Sequence, residues 1–193
     1  MLKWKVITAP TTDPITVEDA KRHMRVDADD DDEYIKSLIE MATQWCERIQ
    51  GRAYITQTLM SKCDAFPEYF LLPRPPLQSV TSITYVDQNG DTQTVDTSIY
   101  VVDTHSEPGR VTLAYDEEWP YDVRAIENAV AITYVAGYGG PADVPERIKH
   151  AIRLLVSHMY EHREPIVLNA TPSTVPMSIR DLLGVDRIWD APL

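Results

Sequence analysis

The sequence predicts an α+β fold: a small helical bundle of about four helices with an inserted antiparallel β domain, a sandwich or a partial barrel. Three observations predict it. Apolar residues recur at helical spacing near both ends of the chain. Between Arg52 and Gly137 the texture changes to short β-branched and aromatic runs broken by Pro, Gly and Asn. The two longest helical patterns flank that block, so the economical arrangement packs them as an antiparallel pair with the β block inserted between them. The expected division is 1–51 and 144–193 for the bundle and its C-terminal arm, and 52–143 for the β domain.

Thr16 precedes Val17-Glu18-Asp19-Ala20 and can cap a helix over 17–25, with the acidic pair where the helix dipole favours negative charge. From Asp31 onward, Ile35, Leu38, Ile39, Ala42, Trp45, Cys46 and Ile49 step by three and four, and Gly51 supplies a C-terminal stop. Ser82-Ile83-Thr84-Tyr85-Val86 alternates polar and apolar, and Asn89-Gly90 offers the positive φ angles of a tight hairpin before Thr92-Gln93-Thr94-Val95 returns. Further strands are expected at Ala53–Met60, Tyr100–Val102, Arg110–Ala114 and Ala129–Val135. Pro145 suits a first helical turn, and Ile148, Ala151, Ile152, Leu155, Met159 and His162 then mark one face through Arg163. Residues 164–177 hold three prolines and no period, which reads as a loop or arm. Ser178 can cap a last short helix through Leu183, leaving Val185, Ile188 and Trp189 as apolar groups in want of a partner.

The chain has 193 residues, 44% hydrophobic and 25% charged, which suits one compact domain or two small ones and excludes wholesale disorder. Lys plus Arg is 18 against 30 for Asp plus Glu, a net charge of −12, with no basic arm. High-affinity binding along a phosphate backbone needs clustered cations and is therefore disfavoured. Two cysteines are too few for a disulfide scaffold, and neither a signal peptide nor an apolar run of membrane-spanning length is visible, which predicts a soluble protein folding in a reducing cytosol.

Several motifs carry possible chemistry. His158-Met159-Tyr160-Glu161-His162 matches the H-x-x-E-H zinc-peptidase pattern, in which residues four apart share a helix face. A zinc-dependent hydrolase is one alternative function, set against the plainer reading that His162 packs inward while Glu161 faces solvent. Asp27 to Glu33 alternates carboxylates as a calcium loop does, but the sixth and twelfth positions are Asp32 and Leu38 where Gly and Glu are required. An acidic first turn for the second helix is the simpler account. Gly137-Tyr138-Gly139-Gly140 lies between a strand and a helix but lacks the Lys-Ser or Lys-Thr pair of a P-loop, and reads as a turn. No cofactor is implied by any of these. A monomeric β-sandwich binding module is the second alternative.

Taken in order, a set of segments carries a resemblance. Leu72-Pro73-Arg74-Pro75-Pro76-Leu77 running on through Val86, Asn89-Gly90, Thr133-Tyr134-Val135-Ala136-Gly137-Tyr138-Gly139, Val144-Pro145-Glu146-Arg147-Ile148 through Leu155, and Tyr160 to Glu164 together resemble the head-tail connector, or adaptor, proteins of long-tailed bacteriophages and prophages. The opening Ile15-Thr16-Val17-Glu18-Asp19-Ala20-Lys21 through Asp27 is similar to that family's start, and the match spans about 7–164. The resemblance implies a structural subunit without catalysis, in the virion at the head-tail junction and in the host cytoplasm during assembly. It implies a homo-oligomeric ring of twelve copies below the portal protein. That ring extends the DNA channel, passes double-stranded DNA without sequence-specific binding, and offers a docking surface to the tail, a stopper, a tail terminator or the next connector ring. It implies no membrane. A C-terminal part reaching toward the portal would put that contact at Ile179, Leu182, Leu183, Ile188 and Trp189, although 165–193 match least. Because like charge raises the free energy of close approach to a polyanion, Asp29, Asp30, Asp31, Asp32 and Glu33, or else Asp116-Glu117-Glu118, are expected to face the channel.

Overall fold

The computed structural model describes residues 3–162 and 177–188, with the side chains of Met177 and Ser178 left aside. Two compact units emerge from the path of the chain. Residues 11–50, 139–162 and 177–187 make a helical unit, and residues 3–10, 51–138 and 188 make a β unit.

Four helices build the helical unit. In α1 (Val17–Met24) the hydroxyl of Thr16 accepts from the Asp19 N–H at 3.1 Å, Glu18 and Asp19 occupy the first turn, and Arg25 closes the helix in the left-handed region at φ 60°. The long helix α2 (Asp32–Gln50) buries Ile35, Leu38, Ile39, Ala42 and Cys46 along one stripe, and Gly51 ends it at φ 70°. Helix α3 (Glu146–Glu161) answers with Ile148, Ala151, Ile152, Leu155 and Val156, and α4 (Met177–Gly184) adds Ile179 and Leu183. The first three pack on one another and α4 packs on α2 and α3. Tyr160 near the end of α3 donates to Asp31 at the start of α2 at 2.6 Å, whereas Gln50 at the end of α2 donates to the Leu183 carbonyl at 2.8 Å and Arg147 at the start of α3 pairs with Asp186. The α2/α3 pair is thus antiparallel, as expected. One expectation fails: His162 is the exposed cap residue beyond α3, and the buried stripe takes in Val156 instead, because the helix ends before the pattern does.

The β unit holds two antiparallel sheets. One has five strands in the order β1 (Lys3–Thr8), β2 (Gln57–Cys63), β8 (Val130–Ala136), β4 (Leu77–Val86) and β5 (Thr92–Thr94); the other has three, β3 (Tyr69–Leu72), β7 (Gly109–Leu113) and β6 (Tyr100–Asp103). Neither is a closed barrel. Alternation along β2 and β8 turns Leu59, Ser61, Val130, Ile132, Tyr134 and Ala136 inward, where they meet Phe70, Leu72 and Val111 of the small sheet. Gly109 of β7 comes so close to β4 that an added Cβ would sit 2.5 Å from that of Leu77. Two strands were absent from the sequence-based expectation. β1 precedes the first helix, and β3 precedes the hairpin. The expected strand at Ala53–Met60 runs later, from Gln57: ahead of it the buried Ala53, Tyr54 and Ile55 make only scattered backbone pairings, the Ala53 N–H donating to the Pro75 carbonyl at 3.1 Å, the Tyr54 carbonyl accepting from the Tyr138 N–H at 3.0 Å, and Ile55 forming a single bridge. Between β4 and β5 only Gly90 has positive φ, at 95°. The Gly90 N–H donates to the Asp87 carbonyl at 3.0 Å and the Asp87 N–H to the Asp91 carbonyl at 2.9 Å, a longer loop than the two-residue turn that Asn89-Gly90 suggests.

Candidate assembly surfaces

The acidic run before α2 is partly neutralised by the chain itself. Lys21, projecting from α1, reaches Asp29 at 2.5 Å and Asp32 at 2.8 Å, and these donations hold the Asp29 carboxyl below the usual carboxylate range. Asp31 takes the Tyr160 hydroxyl from α3. Asp31 and Asp32 are accordingly half-buried and tie three helices together, whereas Asp29, Asp30 and Glu33 are exposed. The second acidic group, Asp116, Glu117 and Glu118, is exposed in the loop between β7 and β8 and lies in the β unit.

The expected docking residues separate just as clearly. Ile179 and Leu183 are fully buried and hold α4 on the bundle, Leu182 and Ile188 are half-buried, and Val185 is 71% exposed. Trp189 lies outside the described residues, as does the expected loop at 164–177 over all but its last position. At residue level, then, α4 presents fewer apolar groups than its sequence implies, because two of them complete the chain's own core.

The structure places each of the enzyme-like signals as follows. The rings of His158 and His162 approach to 4.8 Å between centroids at the end of α3, with His162 and Glu161 exposed. Among the described residues no group of three or more His, Cys, Asp or Glu side chains converges as a metal site would require. In the turn at Gly139-Gly140 the Asp143 carboxylate accepts from the Gly140 N–H at 2.8 Å, so the chain's own anion occupies the place a phosphate would take. Cys46 is fully buried on α2, and burial pushes its thiol up to about 12, which removes it as a nucleophile at neutral pH. Among the described residues no helix is long and apolar enough to cross a membrane.

A feature that sequence reasoning missed lies on β1. All six of its residues are exposed, among them Trp4, Val6 and Ile7, on an edge of the large sheet. Alternation of Lys3, Trp4, Lys5 and Val6 is the signal that could have found it.

No curated protein matches the chain. Solved structures do. A chain in the neck of an empty GTA particle computed with C6 symmetry has a TM-score of 0.77 at 20% identity, covering 98% of this chain and 100% of that one. A chain in the virion of a native gene transfer agent (GTA) particle gives 0.76 at 20% identity, over 98% and 99%. A third, in the neck of the native GTA particle computed with C12 symmetry, gives 0.72 at 20% identity over 100% of both chains. At that identity the likeness establishes the shared fold. The family assignment rests on a separate match, in which the model of the family described as "Head completion protein" takes in residues 14–187, all four helices and every strand but β1. The chain belongs to the head completion protein family.

Proposed function

We infer that the protein is a structural connector subunit at the head-tail junction of a phage-like particle, acting in the virion and assembled in the host cytoplasm. Twelve copies close into a ring below the portal protein, extend the DNA channel and present a docking surface to the tail-side connector, stopper or tail terminator. The observation that carries this reading is the family match over 14–187. The C12 and C6 symmetries used for the GTA necks support a rotational assembly of this kind. No catalysis is assigned, and double-stranded DNA is passed without sequence-specific binding.

Within that reading the lumen is lined by the exposed members of the first acidic run, Asp29, Asp30 and Glu33, while Asp31 and Asp32 fasten the helices behind them. A wall of like charge holds no grip on a sliding polyanion. The portal contact falls to Leu182, Val185 and Ile188, together with Trp189, and Ile179 and Leu183 act by positioning α4.

Deletion of the gene from its particle, followed by electron microscopy, tests the proposal. Filled heads lacking tails are expected, and in the complemented particle a tag on the chain should appear as a ring at the neck. Complete, infectious particles formed without the chain would overturn it.

A further inference from the structure

The described residues leave one cationic surface unmatched in an acidic chain. Lys3 and Lys5 project from the same face of β1, and Lys62 of β2 stands directly opposite Lys3 on that face. It is the outer face, because the alternate residues Leu59 and Ser61 are fully buried. Like charges in direct cross-strand opposition destabilise a sheet, and among the described residues no ion pair relieves any of the three. Lysines can simply guard an open strand edge against pairing. Here the same strand also exposes Val6 and Ile7, which guards nothing, while Trp4 on the opposite face lies under the Arg74 guanidinium at 4.9 Å. Beside the lysines the outer face continues through Thr58, Met60, Ala131 and Thr133, half-buried and uncharged.

The complementary surface is on the same unit. Between β7 and β8 the chain reads Tyr115-Asp116-Glu117-Glu118-Trp119-Pro120-Tyr121-Asp122, followed by Arg124 and Glu127, so five acids face a single arginine. Tyr115 and Tyr121 are each 99% exposed. This loop is held in place: Trp119 stacks on Phe66 with centroids 4.9 Å apart and planes 6° from parallel, and the Arg124 N–H donates to the Val86 carbonyl at 2.9 Å. Two tyrosines on an anchored loop lose little conformational entropy on docking and add apolar area to the charge attraction.

We propose that the lysine-bearing outer face at the β1 edge receives the Tyr115–Tyr121 loop of a second copy of this chain. The two surfaces differ, so the contact is heterologous: each copy offers its loop to one neighbour and its lysines to the other, as a ring requires. This assignment rests on the ring reading above and gives Glu117 and Glu118 to the subunit contact, leaving the lumen to the acids before α2.

Charge exchange on the full-length protein tests it. Sedimentation velocity up to about 1 mM, with carbodiimide cross-linking of lysine to carboxylate, is applied to four chains: wild type, K3E/K5E/K62E, E117K/E118K, and the chain with all five changes. Asp116 is left alone because it has φ 62°. Each single-sided exchange should weaken self-association by about tenfold or more, and the combined chain should return to within about threefold of wild type. Cross-links from Lys3, Lys5 or Lys62 to Glu117 or Glu118 should occur only in the oligomer. Y115A/Y121A, changing two side chains that are almost wholly exposed, should weaken association with a nearly unaltered melting curve. A chain monomeric throughout, association indifferent to the exchanges, or a combined chain no better than either half would overturn the contact. So would unchanged association accompanied by weaker retention of duplex DNA in K3E/K5E/K62E, since the lysines would then be phosphate contacts. Rings that form regardless of these changes would sink this contact alone, whereas particles complete without the chain would sink the ring itself.

Discussion

Asp87 shows how one carboxylate can organise an element. Its Oδ1 accepts from the Asn89 and Asp91 N–H groups at 2.9 Å each and its Oδ2 from the Gln93 amide at 2.8 Å, which holds the β4–β5 loop closed and the carboxyl below the usual carboxylate range. The sign of the pH effect follows from linkage. A carboxyl with a depressed folded-state pKa contributes stability above its unfolded value of about 3.9, and that contribution is lost as pH falls through the folded value. D87N should therefore lower Tm by a few degrees at pH 7, and its deficit relative to wild type should shrink as pH drops from about 5 toward 2. Melting curves across that range check it, and a deficit independent of pH would mean that shape rather than charge is what the loop needs. The hairpin itself was legible from Asn89-Gly90, but its length was not. Both the extra residues and the bend depend on Asp87, and nothing in a local pattern ranks a side-chain acceptor above the turn dipeptide.

Elements with one buried stripe were read most directly. Helix α2 was visible because Ile35, Leu38, Ile39, Ala42 and Cys46 must share a face to be buried at all, and α3 for the same reason. β1 has no such stripe: all six of its residues are exposed, so its place is set by the ladder to β2 rather than by burial. β3, at four residues, is too short for periodicity to speak. How the sheets meet is likewise a matter of tertiary fit. Gly109 on β7 lies against Leu77 at the start of β4, and an alanine Cβ there would fall 2.5 Å from the Leu77 Cβ and 2.6 Å from one of its methyls. G109A is expected to cost about 1–3 kcal/mol through overpacking, a fall of several degrees in Tm for a chain of this length. Shortening the neighbour in G109A/L77V should recover part of it. A fully tolerated G109A would show that β7 can move away from β4 without penalty.

At the scale of the whole molecule the charge balance was legible at once and its partition was not. Five consecutive acids leading into α2 look equivalent in sequence, yet Lys21 and Tyr160 claim Asp29, Asp31 and Asp32 while Asp30 and Glu33 remain exposed and outside any ion pair among the described residues. The same holds for the apolar C-terminal group, in which Ile179 and Leu183 serve the chain's own core. Both separations depend on which helix lies against which, information that spacing along one segment does not contain. The partition makes the lumen hypothesis testable without disturbing the bundle. D30K/E33K changes two exposed positions, at a cost of about 1 kcal/mol or less for the lost charge at the start of α2. In the proposed ring every copy would then present two cations to the passing duplex. Retention follows from counterion release, so assembled D30K/E33K rings should hold duplex DNA at low salt and shed it steeply as salt rises, whereas wild-type rings should hold little at any salt. Particles carrying the change should form normally and deliver DNA poorly. Equal retention by both rings would place Asp30 and Glu33 away from the channel, leaving the acidity there a property of solubility alone.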